Sequence, residues 1–302
     1  MLSISDFKQV KLEDKELFDK HYVRYPQLHS DYLFSTIISW MDYADYHYTF
    51  LKDSLIIVTR IENQLRFRPP VGMRNKDVFL EVLQLAKKEQ TKYPFGLIDS
   101  PTKEWFSEIF PKLKCISHRG YFEYVYNSSD LAILPGSHYA KIRNRLNKFK
   151  RNNSYDVESI SEENINEVKK FLNRWCLWKD CESDPLLEHE KKAVIYSMGH
   201  FSELELSGII IRINGEVEAM AVYEQMNLDT AVIHYEKASP DYAEIYKVIN
   251  NETAKILHKE FRFINRESDL DIPGLRKAKM SYHPHHMVEV FHIDRESLLK
   301  MS

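Results

Sequence analysis

Cysteine is scarce in this chain. Cys115, Cys176 and Cys181 are the only three, and none belongs to a Cys-x-x-Cys pair. A disulfide framework or a structural zinc site is therefore not expected, and a reducing cytoplasm fits. A charge excess is also missing, since 42 Lys and Arg against 45 Asp and Glu leave a formal net charge of −3. Dedicated nucleic-acid binders carry a clear basic surplus, so any polyanion site must be a local patch. Long apolar runs are absent as well. The opening stretch "MLSISDFKQVKLEDKELFDKH" is too charged for a signal peptide, and no segment approaches a membrane span, so membrane insertion is not expected. Apolar residues are plentiful instead. At 43%, with 13% aromatic, they suffice for the core of one large or two ordinary domains and exclude disorder.

Two halves follow the same order of elements. After a helical N-terminal stretch, "LIIVTRIENQLRFRPPV" predicts two strands around a turn at Glu62 and Asn63. A helix over "NKDVFLEVLQLAKKEQ" would bury Val78, Val82, Leu85 and Ala86 on one face. A strand "FGLID", a helix opened by Ser100-Pro101 and a strand "YFEYVYN" close the first half. In the second half, "SGIIIRINGEVEAMAVYEQ" is a hairpin around Asn214-Gly215, the strongest short hairpin signal. A strand "TAVIHYEKA", a helix from Pro240, a strand "RFINRES", a helix "PGLRKAKMSY" and a closing strand "MVEVFHI" follow. The join falls between about Asn127 and Gly136, where Asn, Ser, Pro and Gly concentrate, giving domains 1–128 and 129–302. Inserted helices precede the second set of strands. One, "PGSHYAKIRNRLNKFKRNN", carries Tyr139, Ile142, Leu146 and Phe149 on one stripe; the next follows Ser161 and Asn164 in a near-capping-box pattern.

A hairpin, a strand, a helix, a strand, a helix and a last strand resemble the GNAT acyltransferase fold, and its duplication resembles the Fem-type aminoacyl transferases. Three segments carry a closer likeness, to the soluble domain that ends phosphatidylglycerol lysyltransferases: "LPGSHYAKIRNRLNKFK", "YEKASPDYAEIYKVINNETAKIL" and "FINRESDLDIPGLRKAKMSYHP". The resemblance implies an α/β chain with two tandem GNAT-like acyl-CoA N-acyltransferase units, the active cleft lying in the second. It also implies a donor held where the fourth and fifth strands of that unit part. Ala278 and Tyr282 match the alanine and tyrosine, four places apart, with which many GNAT enzymes end, and that tyrosine can protonate a departing coenzyme A thiolate. The glycine-rich pyrophosphate loop of those enzymes is not matched, because "EKASPDYAEIY" contains no glycine. A helix start at Pro240 would still offer free N–H groups to an anion. Acyl-coenzyme A and aminoacyl-tRNA therefore both remain as donors, with near-neutral charge tilting the balance toward coenzyme A.

The acids Glu236, Glu267 and Asp269 sit where these strands end. Each could take the proton of an attacking amine, or simply pair with Arg266, Arg276 or Lys277. Tyr282 is a general acid or an interfacial aromatic. Donor contacts fall to Lys237, Ala238, Ser239, Tyr242 and Tyr246, with backbone N–H groups around Lys237 and Ala238 stabilising an oxyanion. Arg276, Lys277 and Lys279, with Arg143 from the basic helix, would clamp phosphates or form a solvated face. Between Lys141 and Arg151 that helix carries six Lys or Arg and no acid. "HPHH" (His283, His285, His286) is better explained as a solvated turn than as a metal site. Trp175 and Trp178 would pack the inserted helix or wall an acyl pocket, and nothing supports nucleophilic chemistry at Cys176 or Cys181. Two functions follow: an acyl or aminoacyl transferase acting by direct attack on an amine or hydroxyl acceptor, or a non-catalytic module for a nucleotide-like ligand or an RNA end.

Overall fold

The computed structural model describes residues 2–301. They form two compact units. The first runs through β1 (Lys8–Gln9), α1 (Lys15–Arg24), α2 (Phe34–Ser39), α3 (Met41–Ala44), β2 (Tyr46–Leu51), β3 (Ser54–Ile61) and β4 (Gln64–Phe67). It continues through α4 (Lys76–Ala86), β5 (Phe95–Asp99), α5 (Ser100–Ile109) and β6 (Cys115–Ser117). Glu62 and Asn63 both take positive φ, as a two-residue hairpin turn demands between β3 and β4. The Asn75 side chain accepts from the N–H groups of Asp77 and Val78 and so fixes the start of α4. Val78, Val82, Leu85 and Ala86 are buried in the core of this unit, as their spacing requires.

The second unit holds β7 (Glu123–Asn127), α6 (Ser128–Ile133), α7 (Ala140–Asn152), β8 (Asp156–Ser159), α8 (Ile165–Lys179) and α9 (Pro185–Gly199). Then come β9 (Ser207–Ile213), β10 (Glu216–Gln225), β11 (Thr230–Ala238), α10 (Ile245–Leu257), β12 (Phe263–Asn265), α11 (Pro273–Met280) and β13 (His286–Val288). Its strands lie in the order β13-β7-β12-β11-β10-β9-β8. Tyr139, Ile142, Leu146 and Phe149 lie in the core that covers this sheet, so the apolar stripe of α7 has the expected role. Asn214 and Gly215 take positive φ in the β9–β10 turn.

The chain then returns to the first sheet. β14 (Val290–Ile293) lies between β5 and β6, and α12 (Arg295–Leu299) follows it. The first sheet is thus ordered β1-β2-β3-β4-β5-β14-β6. Two sequence expectations are corrected here. "YFEYVYN" belongs to the second sheet as β7 and not to the first. "MVEVFHI" is two strands, and only its start stays in the second sheet, so residues from 288 onward leave the expected range 129–302. The physical reason is that alternation specifies a half-buried strand but not the ladder that receives it.

Three smaller corrections follow. Residues from Pro240 to Glu244 are turns, and α10 begins at Ile245 behind a left-handed Glu244, so no helix N-terminus opens at Pro240. Cys176 and Cys181 are joined as a disulfide, with Cα atoms 5.2 Å apart, across the end of α8. Sequence separation hid this pairing, which depends on α8 ending in a left-handed Asp180 that folds the chain back. Asn164 bonds the backbone N–H of Ser161, but α8 starts only at Ile165, with no side-chain cap.

Candidate active site

In each sheet one neighbouring pair of strands is parallel and parts early. In the second unit, β11 and β12 pair over Thr230–Phe263, Ala231–Ile264 and Val232–Asn265, after which β11 runs on to Ala238 beside β10 but without β12. A gap opens where the ladder stops, and charged side chains span it. His234 on β11 reaches Glu267 with Nδ1 (2.8 Å) and Glu224 on β10 with Nε2 (2.7 Å). The ring is 5% exposed, and burial alone would lower its pKa. The two carboxylates outweigh burial and push it up to about 10, so His234 is an imidazolium at neutral pH. Glu236, two residues along β11 on the same face, pairs with Arg266 and accepts from Asn250 Nδ2 at 3.0 Å.

Arg266 is the hub of the gap. Its guanidinium lies 5.1 Å from the ring centroid of Tyr282 and 5.8 Å from that of Tyr126. Its Nε and the nearby Asn250 Oδ1 are buried without a partner, leaving one donor and one acceptor for a bound molecule. Tyr282 is buried, which pushes its hydroxyl up to about 12 and keeps it protonated.

Asp269 is fully buried and holds the loop into α11. It accepts two bonds of 2.8 Å from Arg276, one from the Tyr124 hydroxyl and one from the N–H of Asp271. Burial would raise its pKa, but these donors carry it down to about 2. Lys279 donates to the backbone carbonyls of Arg266 and Glu267. Burial of its ammonium, then the Arg266 charge, lower its pKa to about 8. Glu267 takes a left-handed backbone (φ 56°), and Asn265 Oδ1 accepts its N–H at 2.8 Å. A non-glycine residue in that region is costly, and here it aims a carboxylate across the gap at His234.

On the opposite edge, Lys237 meets Glu190 at 2.6 Å and lies 4.2 Å from the ring centroid of Trp175. Its side chain is thus engaged within the protein. Leu172, Trp175, Cys176, Glu190, Val194 and Lys237 are among the residues lining an opening of about 210 Å³ that is continuous with solvent. The Ser239 N–H donates to Glu218 on β10, and alternation along the ladder turns the Lys237 N–H to the same side. The Ala238 N–H faces the other way, toward the Tyr246 hydroxyl, which accepts from Trp175 Nε1 at 3.0 Å. Two N–H groups therefore face one oxygen at the end of β11. Ser239 bonds the N–H of Asp241 and shapes the turn before α10, and Tyr242 packs against the core.

The sequence-predicted residues divide accordingly. Glu236, Lys279 and Tyr282 meet around Arg266, Glu267 reaches His234 across the gap and Asp269 holds the loop into α11, while Ala238, Tyr246 and Trp175 lie at the end of β11. Arg276 is held by Asp269 and Asp271, and Arg143 by the carbonyls of Leu134 and Gly136. Lys277 is exposed and makes no ion pair among the described residues. On α7, Arg145 pairs with Glu244 and Lys150 with Glu252, leaving Lys141, Lys148 and Arg151 without ion pairs among the described residues. Sequence reasoning missed His234. Its signal was a His and a Glu two positions apart in a mostly apolar strand. Among the described residues, no group of three or more His, Cys, Asp or Glu is placed to hold a metal ion, and no helix is long and apolar enough to cross a membrane.

Comparison with known proteins places this arrangement. Residues 22–293 match the family described as phosphatidylglycerol lysyltransferase, C-terminal. The chain belongs to that family. Among solved structures, this lysyltransferase-family chain is similar to a protein of unknown function from Bacteroides thetaiotaomicron, at 30% identity and a TM-score of 0.89, covering 95% of this chain and 98% of the other. L-PGS from Bacillus licheniformis has 13% identity and a TM-score of 0.64, with 97% and 96% coverage. FemX has 10% identity and a TM-score of 0.55, with 98% and 100% coverage. The last two likenesses concern the fold alone, a mixed α/β chain with two mixed sheets. No protein with a curated description matches the sequence.

Proposed function

We propose that this lysyltransferase-family chain transfers an acyl or aminoacyl group to an amine or hydroxyl acceptor at the parted ends of β11 and β12. The observation that carries the proposal is the hydrogen bond from Trp175 Nε1–H to the Tyr246 hydroxyl beside the Ala238 N–H, which β12 leaves unpaired where the strands part. Preorganised donors aimed at a single oxygen are what a tetrahedral oxyanion requires. The Tyr246 hydroxyl stands where the carbonyl oxygen of a donor would sit, and it yields that place on binding. The acceptor attacks the donor carbonyl, a C–N or C–O bond forms, and the C–S bond of a thioester or the C–O bond of an ester breaks. The acceptor's proton passes to Glu236 or to water, and the Tyr282 hydroxyl protonates the leaving group. Arg266 would steady the donor through its free Nε–H. Coenzyme A thioester and aminoacyl-tRNA are the two donor classes.

One observation favours the alternative, a module that binds without catalysis: Glu236, Glu267 and Asp269 are each already bonded to a cation. Calorimetry with acetyl-coenzyme A and, separately, with an aminoacyl-tRNA tests the site, followed by mass analysis of transfer to small amines. Saturable binding of one donor that weakens with salt, together with transfer, is the expected result. Binding without transfer would establish the module. No heat and no melting shift with either donor would end both readings.

A further inference from the structure

The first unit contains a charge that no described residue neutralises at close range. Arg68 follows β4 directly, where the parallel contact between β4 and β5, the single pair Phe67–Phe95, ends. Its side chain is 5% exposed. Nη1 donates to the backbone carbonyl of Asp31 and Nη2 to the Tyr46 hydroxyl at 3.3 Å, and its guanidinium carbon lies 5.2 Å from the Tyr32 ring centroid and 5.0 Å from that of Tyr46. All these partners are neutral. Arg68 makes no ion pair among the described residues, and the Asp31 carboxylate acts on it only at longer range. An arginine cannot shed its proton, and a buried charge without a close counter-charge is strongly destabilising.

Two buried hydroxyls of the same unit are also unpartnered, Tyr22 Oη and Thr36 Oγ1. The Arg68 charge acts on the Tyr22 hydroxyl, which places the two groups in one electrostatic neighbourhood. The Tyr46 hydroxyl accepts from Arg68 and keeps its own proton to donate. The guanidinium and the Tyr22 and Tyr46 phenols together form a donor-rich, positive setting. The start of α4 plays no part, because Asn75 already caps it.

We propose that the first unit binds a small oxyanion, the carboxylate or phosphate group of a ligand, on Arg68, with the Tyr22 and Tyr46 hydroxyls as further donors. The anion supplies the counter-charge that the chain withholds and the acceptor that Tyr22 lacks. Its place at the parting of β4 and β5 answers, in the first sheet, to the gap at the end of β11 in the second.

The test is thermal melting of the full chain in sodium phosphate and in sodium acetate, each against sodium chloride at equal ionic strength. The wild type should show a saturable rise in Tm with phosphate, with acetate or with both, beyond the chloride control. A response to phosphate alone assigns a phosphate ligand, and a response to acetate alone a carboxylate. Arg68→Met should abolish the rise without lowering Tm in chloride, because an unmatched charge has been removed. Tyr22→Phe should keep the fold and weaken the apparent anion affinity roughly tenfold. No saturable rise in the wild type, or an equal rise in Arg68→Met, would overturn the site. Should Arg68→Met fail to fold, Tyr22→Phe decides, and an unchanged anion response there counts against the proposal.

Discussion

At the scale of single residues, Tyr282 carries the sharpest consequence. Burial holds its hydroxyl near 12, so it arrives at a leaving group as an acid with a proton to give. Tyr282→Phe deletes one oxygen and keeps the ring under Arg266. If the hydroxyl protonates the leaving group, the rate of transfer should fall roughly a hundredfold with donor affinity little changed. A Phe variant at full rate in the same assay removes Tyr282 from the chemistry. His292 in the first unit makes a different prediction. Both of its ring nitrogens are buried without partners, against Tyr93 (centroids 3.8 Å apart) and His118 (4.8 Å). Burial, then the neighbouring His118 and Lys92, lower its pKa to about 4 despite Asp294. Because the folded pKa lies below the unfolded value of about 6.5, its contribution to stability is complete above 6.5 and declines as pH falls toward 4. His292→Phe should flatten that slope and, by removing unsatisfied polar atoms, stabilise the protein by about 1–3 kcal/mol. Chemical denaturation between pH 4 and 7 checks both, and an unchanged slope in the variant would show that another group titrates.

Elements show what the sequence made legible and what it withheld. The stripe Tyr139, Ile142, Leu146 and Phe149 and the stripe Val78, Val82, Leu85 and Ala86 were legible because helical burial is local and periodic. The Asn214-Gly215 turn was legible because few residues tolerate its dihedrals. The destinations of β7 and β14 were not, since "YFEYVYN" and "MVEVFHI" alternate equally well in either sheet. The same limit governed the site. Glu267 and Asp269 stood out as acids behind a strand, but their partners come from afar: His234 on β11, Tyr124 on β7 and Arg276 on α11. Whether an acid is a free base or half of an ion pair is a property of those non-local contacts. The Tyr246 oxygen that accepts from Trp175 beside Ala238 was still further from view, because it needs α8, α10 and β11 together.

For the whole molecule, the two sheets exchange strands, and this makes each half incomplete. A chain cut at the junction evident in the sequence, after residue 128, leaves the first sheet without β14 and removes β7 from the second. Because β14 lies between β5 and β6, its loss uncovers ladder groups on both neighbours. Neither fragment, 1–128 nor 129–302, should show a cooperative melt alone, whereas mixing the two should restore one. Circular dichroism on the separate and combined fragments tests this, and a cooperative transition in isolated 1–128 would contradict it.

The same exchange sets an order in time. As the chain leaves the ribosome, β5 and β6 emerge with the space between them unfilled, and Val290–Ile293 arrives only after every strand of the second sheet has been made. The segment that starts first is therefore finished last. Until then its half-built sheet offers two open edges to any strand nearby, the state most prone to mispairing and most in need of a chaperone.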